Sequence, residues 1–455
     1  MKRILLLAIF VAAVSLGACA KESKLPTATG EGSVRAINAI PTSPPFIFRI
    51  EETVIATVDY KASSSIARYD DLDYTFNFEV SLAVGQDPAR VANQHIDVVA
   101  DRDYTFIISG ALAAPDITLL ERDIREWSGS ETVFEAQFGH SATSLGDIDI
   151  YFLDPTIAPA LGLQFGTLAF GEIIPGADFE EGEYVLTITS AGDDPADVSK
   201  ILFQTDPFTV LAQTESLINV FDGTANDFSA LAVRRINLAQ SGATLLIDNR
   251  SEPTRRFFHA SMNMGAVDIY IDDPLTTPFV TDHAFADITD DLELPAGDLP
   301  LTYTTAGTMG SILIDDDVTI ISGTHNYIYA VENSVGDDVL IRYFPDRRPI
   351  ETMARLSIIN TTTSNAEVDV YIVDRDEPLD DALPLLNGLP LGREPLQLPI
   401  SPMSYDIYVT VPDDKTLPAL AGPIPYDPVL GDVHDVIIYE NVDPNVVDFV
   451  FTSGP

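Results

Sequence analysis

The chain has 455 residues, with 70 acidic against 25 basic side chains and a formal net charge of −45. This charge excludes nucleic acid as a partner, because the chain and a phosphate backbone repel each other. The length is too great for one hydrophobic core and predicts several domains of roughly 100 to 150 residues. The only cysteine is Cys19, so no disulfide can form within the chain.

Residues 1–18 are predicted to be a lipoprotein signal peptide. Two basic residues precede an apolar run over 4–14, which is too short to span a membrane. The tetrad Leu-Gly-Ala-Cys at 16–19 has the form of a lipobox. Diacylglyceryl attachment explains the unpaired thiol of Cys19, and two or more acyl chains give stable anchoring. The alternative is an ordinary secretory signal that contains a cysteine.

Residues 19–32 are assigned to the lipidated Cys19 and a flexible tether. From Ala20 onward the tether is mostly polar, with proline and glycine, and buries too little apolar surface to become ordered. Ala20, directly after the lipidated cysteine, carries no inner-membrane retention signal. The sequence therefore predicts a lipid-anchored protein of the cell envelope, with the outer membrane of a Gram-negative bacterium as the favoured site.

One short strand pattern occurs three times along the rest of the chain. In one copy, Val267 and Ile269 alternate with Asp268 and Tyr270, which is the period of two that separates the faces of a strand. One face is therefore buried, and the Asp and Tyr of the other face reach either solvent or a neighbouring strand. The three Asp-x-Tyr pairs are Asp149 with Tyr151, Asp268 with Tyr270, and Asp369 with Tyr371.

A small polar residue, which we call the repeat anchor, stands nine positions upstream of each Asp. The same spacing survives in a degenerate copy near the start of the chain. The four anchors are Asn38, His140, His259 and Asn360. They divide the chain into four predicted repeats, at 33–130, 131–254, 255–352 and 353–455. An insert at 240–254 lengthens repeat 2 and is either a linker or an extra edge strand.

Each repeat contains short runs rich in β-branched and aromatic residues, separated by Gly, Pro and Asp. The runs at 74–80 and 405–411 are examples. No amphipathic run of 12 or more residues at helical period interrupts them. The pattern predicts an all-β chain of tandem Ig-like antiparallel β-sandwich domains.

The repeated phrase resembles the bacterial domain-of-unknown-function family numbered 4397, whose pattern runs His-Ala-Ser-Pro-Asp-Ala-Pro and then Val-Asp-Val-Tyr. His-Ala-Ser stands at 259–261 and His-Ser-Ala at 140–142, although the Pro-Asp-Ala-Pro turn is absent from both repeats. Leu-Pro-Ala-Gly at 294–297 and the Thr-rich stretch 301–307 extend the resemblance. It covers residues 131–350 and implies a secreted or envelope β-sandwich module with no assigned activity.

Neighbouring acidic residues occur in six places without the Asp-x-Asp-x-Asp-Gly spacing of an EF-hand calcium loop. They are Asp70-Asp71, Asp272-Asp273, Asp290-Asp291, Asp315-Asp316-Asp317, Asp374 with Asp376, and Asp413-Asp414. We expect these acids to be solvated turn residues and expect no cofactor. Weak Ca²⁺ binding is the alternative.

The sequence presents no convincing set of catalytic or metal-ligating residues. His140 and His259 hold equivalent places, but Asn38 and Asn360 fill the same position, and Asn can neither ligate zinc nor accept a proton at neutral pH. The anchors are therefore predicted to make a structural hydrogen bond. The other histidines, among them His95, are scattered without ligand spacing.

These observations favour a non-enzymatic envelope lipoprotein whose tandem sandwiches serve as a spacer or as a surface for another macromolecule. The expected partners are the membrane, through the lipid anchor, and an envelope protein or a glycan. The alternative is a glycan-binding lectin or a glycan-active enzyme that uses the Asp-x-Tyr face, because a carboxylate beside an aromatic ring can hold a sugar.

Overall fold

The computed structural model describes residues 27–453, except 228, 272–275, 376 and 444. The predicted signal peptide and Cys19 lie outside these residues. Within them, the chain forms 34 strands and three single-turn 3-10 helices, Val198–Lys200, Met262–Met264 and Leu379–Asp381. None of the described helices is long and apolar enough to cross a membrane.

The strands fall into four groups that follow one another along the chain. Repeat 1 contains β1 (Glu31–Asn38), β2 (Phe46–Ile50), β3 (Thr53–Val58), β4 (Ala67–Asp70), β5 (Asp73–Val80), β6 (Ala89–Asp97), β7 (Arg102–Ala111) and β8 (Ala114–Asp123). Repeat 2 contains β9 (Val133–His140), β10 (Ile148–Leu153), β11 (Gly166–Leu168), β12 (Ile173–Glu180), β13 (Gly182–Ser190), β14 (Ile201–Gln204), β15 (Phe208–Val210), β16 (Glu215–Asp222), β17 (Leu231–Asn237) and β18 (Ala243–Leu246).

The second half of the chain follows the same plan. Repeat 3 contains β19 (Thr254–His259), β20 (Val267–Tyr270), β21 (Val280–His283), β22 (Leu292–Glu293), β23 (Gly297–Thr305), β24 (Ile312–Ile320), β25 (His325–Glu332) and β26 (Asp338–Tyr343). Repeat 4 contains β27 (Ala354–Asn360), β28 (Glu367–Asp374), β29 (Leu386–Pro390), β30 (Leu398–Ile400), β31 (Tyr405–Thr410), β32 (Ala421–Tyr426), β33 (Val433–Glu440) and β34 (Val447–Ser453).

Each repeat folds into two sheets, which we call the inner and the outer sheet. The inner sheets have the strand orders β4-β1-β7-β8, β12-β9-β16-β17-β18, β22-β19-β25-β26 and β30-β27-β33-β34. The outer sheets have the orders β3-β2-β5-β6, β11-β10-β13-β14, β21-β20-β23-β24 and β29-β28-β31-β32, with β15 paired to β13. The insert of repeat 2 forms the extra edge strand β18, which pairs with β17.

The prediction of an all-β chain of tandem β-sandwiches is confirmed, with one addition. The first strand of every repeat runs parallel to a late strand of the same inner sheet, β1 to β7, β9 to β16, β19 to β25 and β27 to β33. The other strand pairs are antiparallel. A parallel pair needs a long connection, and here the outer sheet is part of that connection.

The hydrophobic core of each repeat lies between its inner and outer sheets. In repeat 1 the core is aromatic, with Phe48 stacked on Phe78 at 5.3 Å between ring centroids and Phe76 packed 5.0 Å from Phe106. The side chains alternate in and out along each strand, so the inner face of β2 buries Phe46, Phe48 and Ile50.

The inner sheets are buried on both faces because the repeats pack in pairs, inner sheet against inner sheet. Ile37, Tyr60 and Ile107 of repeat 1 share one cluster with Leu217 and Phe221 of repeat 2. The five side chains are at most 6% exposed. Repeats 1 and 2 therefore form one four-layer unit.

Repeats 3 and 4 repeat this arrangement with more tyrosine. Phe258, Tyr327 and Tyr329 of repeat 3 pack with Ile359 and Ile437 of repeat 4. The five side chains are at most 1% exposed. The chain thus consists of two four-layer units of the same design.

Charged side chains cross the interface between repeats 1 and 2. Arg122 of β8 contacts Asp103 at 2.5 Å and also pairs with Glu215 of β16. The Trp127 indole Nε1 donates to the same Glu215 at 3.1 Å, and the Arg35 guanidinium donates to the carbonyl of Asn237 at 2.5 Å. Arg122 is thus paired with carboxylates and Arg35 is hydrogen-bonded to backbone carbonyls, and such partners are the condition under which a buried charge is tolerated.

The segment between repeats 3 and 4 joins the two units. Arg348 donates to the carbonyls of Pro41 and Ser43 at 2.9 and 2.6 Å and pairs with Asp59 at 2.9 Å, all in repeat 1. The backbone N–H of Arg347 donates to Asn226 of repeat 2 at 2.6 Å. The chain therefore folds back on itself, so that its last linker contacts its first repeat.

Candidate functional site

The repeat anchors are buried side chains that bond to the chain around them. A side-chain nitrogen of each anchor contacts an oxygen a few residues further along the chain. The contacts are Asn38 to Ser43 Oγ (2.9 Å), His140 to Gly146 O (3.1 Å), His259 to Gly265 O (2.6 Å) and Asn360 to Asn365 O (3.0 Å). All four anchors are at most 1% exposed. An amide and a neutral imidazole can both make this contact, which explains why the position accepts either residue.

The main chain of each anchor makes one further bond that is the same in all four repeats. The anchor carbonyl accepts the backbone N–H of Lys61, Gly171, Ala286 or Gly392, and the distance is 2.8 Å each time. All four donors have a positive φ, between 62° and 80°. The anchor therefore fixes the point where the chain returns from the outer to the inner sheet.

Two substitutions at His259 test whether the anchor acts only through its structural hydrogen bond. His259→Asn is expected to fold with nearly normal stability, because the sister repeats carry Asn in this position. His259→Leu is expected to cost about 1 to 3 kcal/mol, since it removes the hydrogen bond between the buried ring and the carbonyl of Gly265. Thermal melts of the two variants measure the difference. A larger loss in His259→Asn than in His259→Leu would contradict this prediction.

The three Asp residues of the Asp-x-Tyr pairs form a second repeated feature, which we call the Asp clamp. Asp268 accepts the N–H groups of Asp282 and Gly307 at 2.9 and 2.8 Å, and Asp369 accepts those of Gly388 and Asp413 at 2.7 and 2.9 Å. In repeat 2, Asp149 accepts the N–H of Gly192 at 2.8 Å and the hydroxyl of Thr167.

Each clamp holds the turn of a hairpin in the outer sheet. Its partners Gly192, Gly307 and Asp413 have φ values of 83°, 69° and 58°, a backbone conformation that L-residues adopt at a cost. One carboxylate thus joins the middle of the outer sheet to the turn beyond it.

The Asp-x-Tyr pairs, which the alternative of a ligand face would use, are buried. Asp149, Tyr151, Asp268, Tyr270, Asp369 and Tyr371 are all at most 6% exposed. The turn that each Asp holds covers the outer sheet at this point, and in repeat 4 the Lys415 ammonium also lies 5.4 Å from the Tyr371 ring. A sugar cannot reach carboxylates and rings that are enclosed in this way.

Repeat 1 lacks the clamp, and its surface at this position faces a cavity. Ile47 stands where the other repeats have the Asp, and Arg49 stands in place of the Tyr and pairs with Glu79 at 2.6 Å. Ile47 lines a cavity of about 500 Å³ between repeat 1, the segment between repeats 3 and 4, and repeat 4. The degenerate copy therefore faces the segment between repeats 3 and 4 across this cavity.

This cavity has an apolar wall and a charged end. The apolar lining includes Pro44, Pro45, Ile350, Met353 and Pro399. The charged end contains Arg348 and Arg355, which pair with Asp59 and Asp346. Its size lies within the range of small-molecule sites in proteins. The opposite charges are mutually compensated, so the cavity presents no net charge to a guest.

Repeat 3 buries two histidines side by side. The rings of His259 and His283 lie 6.0 Å apart, and both side chains are at most 5% exposed. Burial, and after it the neighbouring His259, lower the pKa of His283 to about 4. Burial also lowers the pKa of His259. Both rings are therefore neutral at pH 7.

Acid is expected to destabilise repeat 3. An unfolded His titrates near pH 6.5, so the stability held by neutral His283 is complete above about pH 6.5 and is lost as the pH falls towards 4. The loss at pH 5 should be about 2 kcal/mol. Calorimetry at pH 7 and pH 5 should show a smaller pH effect in His283→Gln than in the wild type. Equal pH effects in wild type and His283→Gln would contradict this account.

The acidic clusters that the structure describes are largely engaged by neighbouring groups. Asp71 accepts the N–H of Thr29 at 2.6 Å, and Asp291 pairs with Arg347 at 3.0 Å. Asp316 pairs with Arg342 at 2.8 Å. Asp272-Asp273 and Asp376 lie outside the described residues. The absence of a cofactor stays the prediction for these clusters, with weak Ca²⁺ binding as the alternative.

One group of possible metal ligands was missed by the sequence reasoning. Asp73, His95 and Asp97 each offer one ligand atom, and these atoms lie within 4.8 Å of one another. All three side chains are exposed on the outer sheet of repeat 1. The signal in the sequence was His95-x-Asp97, because residues two apart on a strand share a face. Its third member stands 22 positions upstream of His95, on the partner strand.

The geometry defines a class of protein, tandem β-sandwiches with a repeated anchor and clamp, and one family model matches part of this chain. Residues 254–371 match the family "Domain of unknown function (DUF4397)". This segment begins at the first residue of β19 and ends at Tyr371 in β28 of repeat 4. The match supports the predicted family for this part of the chain.

No curated protein matches the chain. Among solved structures, a chain titled "The Bacillus anthracis TIE protein" aligns at 11% identity over 87% of this chain and 74% of its own, with a TM-score of 0.14.

Proposed function

We propose that the chain is a non-enzymatic lipoprotein of the cell envelope that presents a compact, acidic β-sandwich body as a binding surface for another macromolecule. The lipobox and the isolated thiol of Cys19 support the anchor. The favoured location is the outer membrane of a Gram-negative bacterium, because Ala20 carries no inner-membrane retention signal.

The contact of the segment between repeats 3 and 4 with repeat 1 favours a binding surface over a spacer. Arg348 bonds to the carbonyls of Pro41 and Ser43, and the N–H of Glu351 donates to the carbonyl of Thr42 at 2.9 Å. A spacer gains reach from repeats in a line, whereas here the repeats fold back on each other. We therefore place the function in the surface of the folded body.

Replacement of Cys19 tests the anchor. Cys19→Ala should move the protein from the membrane fraction to the soluble fraction or leave it unprocessed. Ser23→Ala, in the same tether, serves as the control and should fractionate as the wild type does. Membrane fractionation of a Cys19→Ala chain that has lost its signal peptide would overturn the lipoprotein proposal.

A glycan array and a hydrolysis screen on residues 20–455 test the non-enzymatic part. The proposal expects no turnover. Turnover of any glycan would replace it with a glycan-active enzyme, and binding without turnover would replace it with a lectin.

A further inference from the structure

Two carboxylates face each other at one end of the outer sheet of repeat 1. Asp73 begins β5 and Asp97 ends β6, and the two residues are direct partners in the antiparallel ladder. Like charges in this position repel each other. Neither carboxylate forms an ion pair with a basic side chain anywhere in the described part of the chain.

An imidazole completes this group from the same face. His95 lies two residues before Asp97 on β6, opposite Thr75 of β5. Its Nδ1 is 3.2 Å from the Thr75 hydroxyl oxygen. When Nδ1–H donates to Thr75, the lone pair of the ring is on Nε2. A hydrogen bond of this kind, from outside the ligand set, is what orients a metal-binding histidine.

We propose that Asp73, His95 and Asp97 bind a divalent transition-metal ion. One nitrogen and two carboxylate oxygens suit Zn²⁺ or Mn²⁺, whereas Ca²⁺ takes six to eight oxygen ligands. The positive ion offsets the repulsion between the opposed carboxylates. Because the protein supplies three ligands, the remaining coordination positions are open to water or to a donor group from a binding partner.

Isothermal titration of the untagged chain over residues 20–455 with ZnCl₂ or MnCl₂ tests the proposal. We expect one saturable site per chain, with affinity lowered at least tenfold in His95→Ala and in Asp97→Asn. Asp70→Asn is the matched control, because it removes the same charge from an exposed strand residue of the same repeat and should leave the affinity unchanged. CaCl₂ should bind more weakly than either transition-metal ion.

Paramagnetic broadening by Mn²⁺ locates the ion independently of the affinity. The NMR signals of Asp73, His95 and Asp97 should broaden first in the wild type, and this selectivity should vanish in His95→Ala. Absence of a saturable site, equal losses of affinity in Asp70→Asn and Asp97→Asn, or unchanged affinity in His95→Ala would each overturn the proposal.

Discussion

Asp369→Ala is expected to lower the free energy of unfolding of repeat 4 by about 3 to 5 kcal/mol. The carboxylate is 1% exposed and accepts the N–H groups of Gly388 and Asp413. Both donors lose their partner in the variant, and hydrogen bonds to charged groups contribute about 1.5 to 3 kcal/mol each. Urea denaturation followed by circular dichroism measures the loss.

The chain offers a control for this experiment on the same strand. Asp374 also lies on β28 but is exposed, so Asp374→Ala should change the stability by less than about 0.5 kcal/mol. Asp369→Asn keeps one carbonyl oxygen as an acceptor and should fall between the two. Equal effects of Asp369→Ala and Asp374→Ala would show that the clamp contributes nothing.

Repeat 1 is expected to lose its native fold when it is separated from repeat 2. A fragment of residues 27–125 would expose Ile37, Tyr60 and Ile107, which repeat 2 covers in the whole chain. Each large apolar side chain that returns to water costs roughly 1.5 to 3 kcal/mol. The buried Arg35 would also lose the carbonyl of Asn237. We expect this fragment to aggregate or to melt at much lower temperature.

The matched fragment is residues 27–250, which keeps repeats 1 and 2 together. It should be monomeric in size-exclusion chromatography and should give a cooperative melt. A soluble 27–125 fragment with the same melting temperature as 27–250 would mean that the repeats are independent and that the interface contributes little.

The strands and the repeats could be predicted because their signals are local. Val267 and Ile269 alternate with polar residues, and the nine-residue spacing between anchor and Asp persists even where Ile47 replaces the Asp. The burial of Asp268 and Tyr270 could not be predicted this way. It depends on the turn at Gly307, which folds over the sheet from a distant part of the sequence.

The pairing of the repeats is reflected in the sequence by consecutive apolar residues in the inner strands, which the search for alternating residues did not take into account. Inner strands such as β33 carry consecutive apolar residues, Val436, Ile437 and Ile438, which is typical of a strand buried on both faces. Val436 and Ile438 face the core of repeat 4, and Ile437 faces repeat 3. The contact of Arg348 with repeat 1 could not be predicted from the sequence, because its partners there are mostly backbone carbonyls, which every residue has.

Small-angle X-ray scattering of residues 20–455 tests most directly whether the four repeats form one folded-back body. The scattering should be recorded at moderate salt, so that self-repulsion of the acidic chain is screened. A compact chain of this length has a radius of gyration of about 22 Å, and we predict a value near it. Four sandwiches strung in line would instead give roughly 40 Å, and a value in that range would contradict the contact between the last linker and the first repeat.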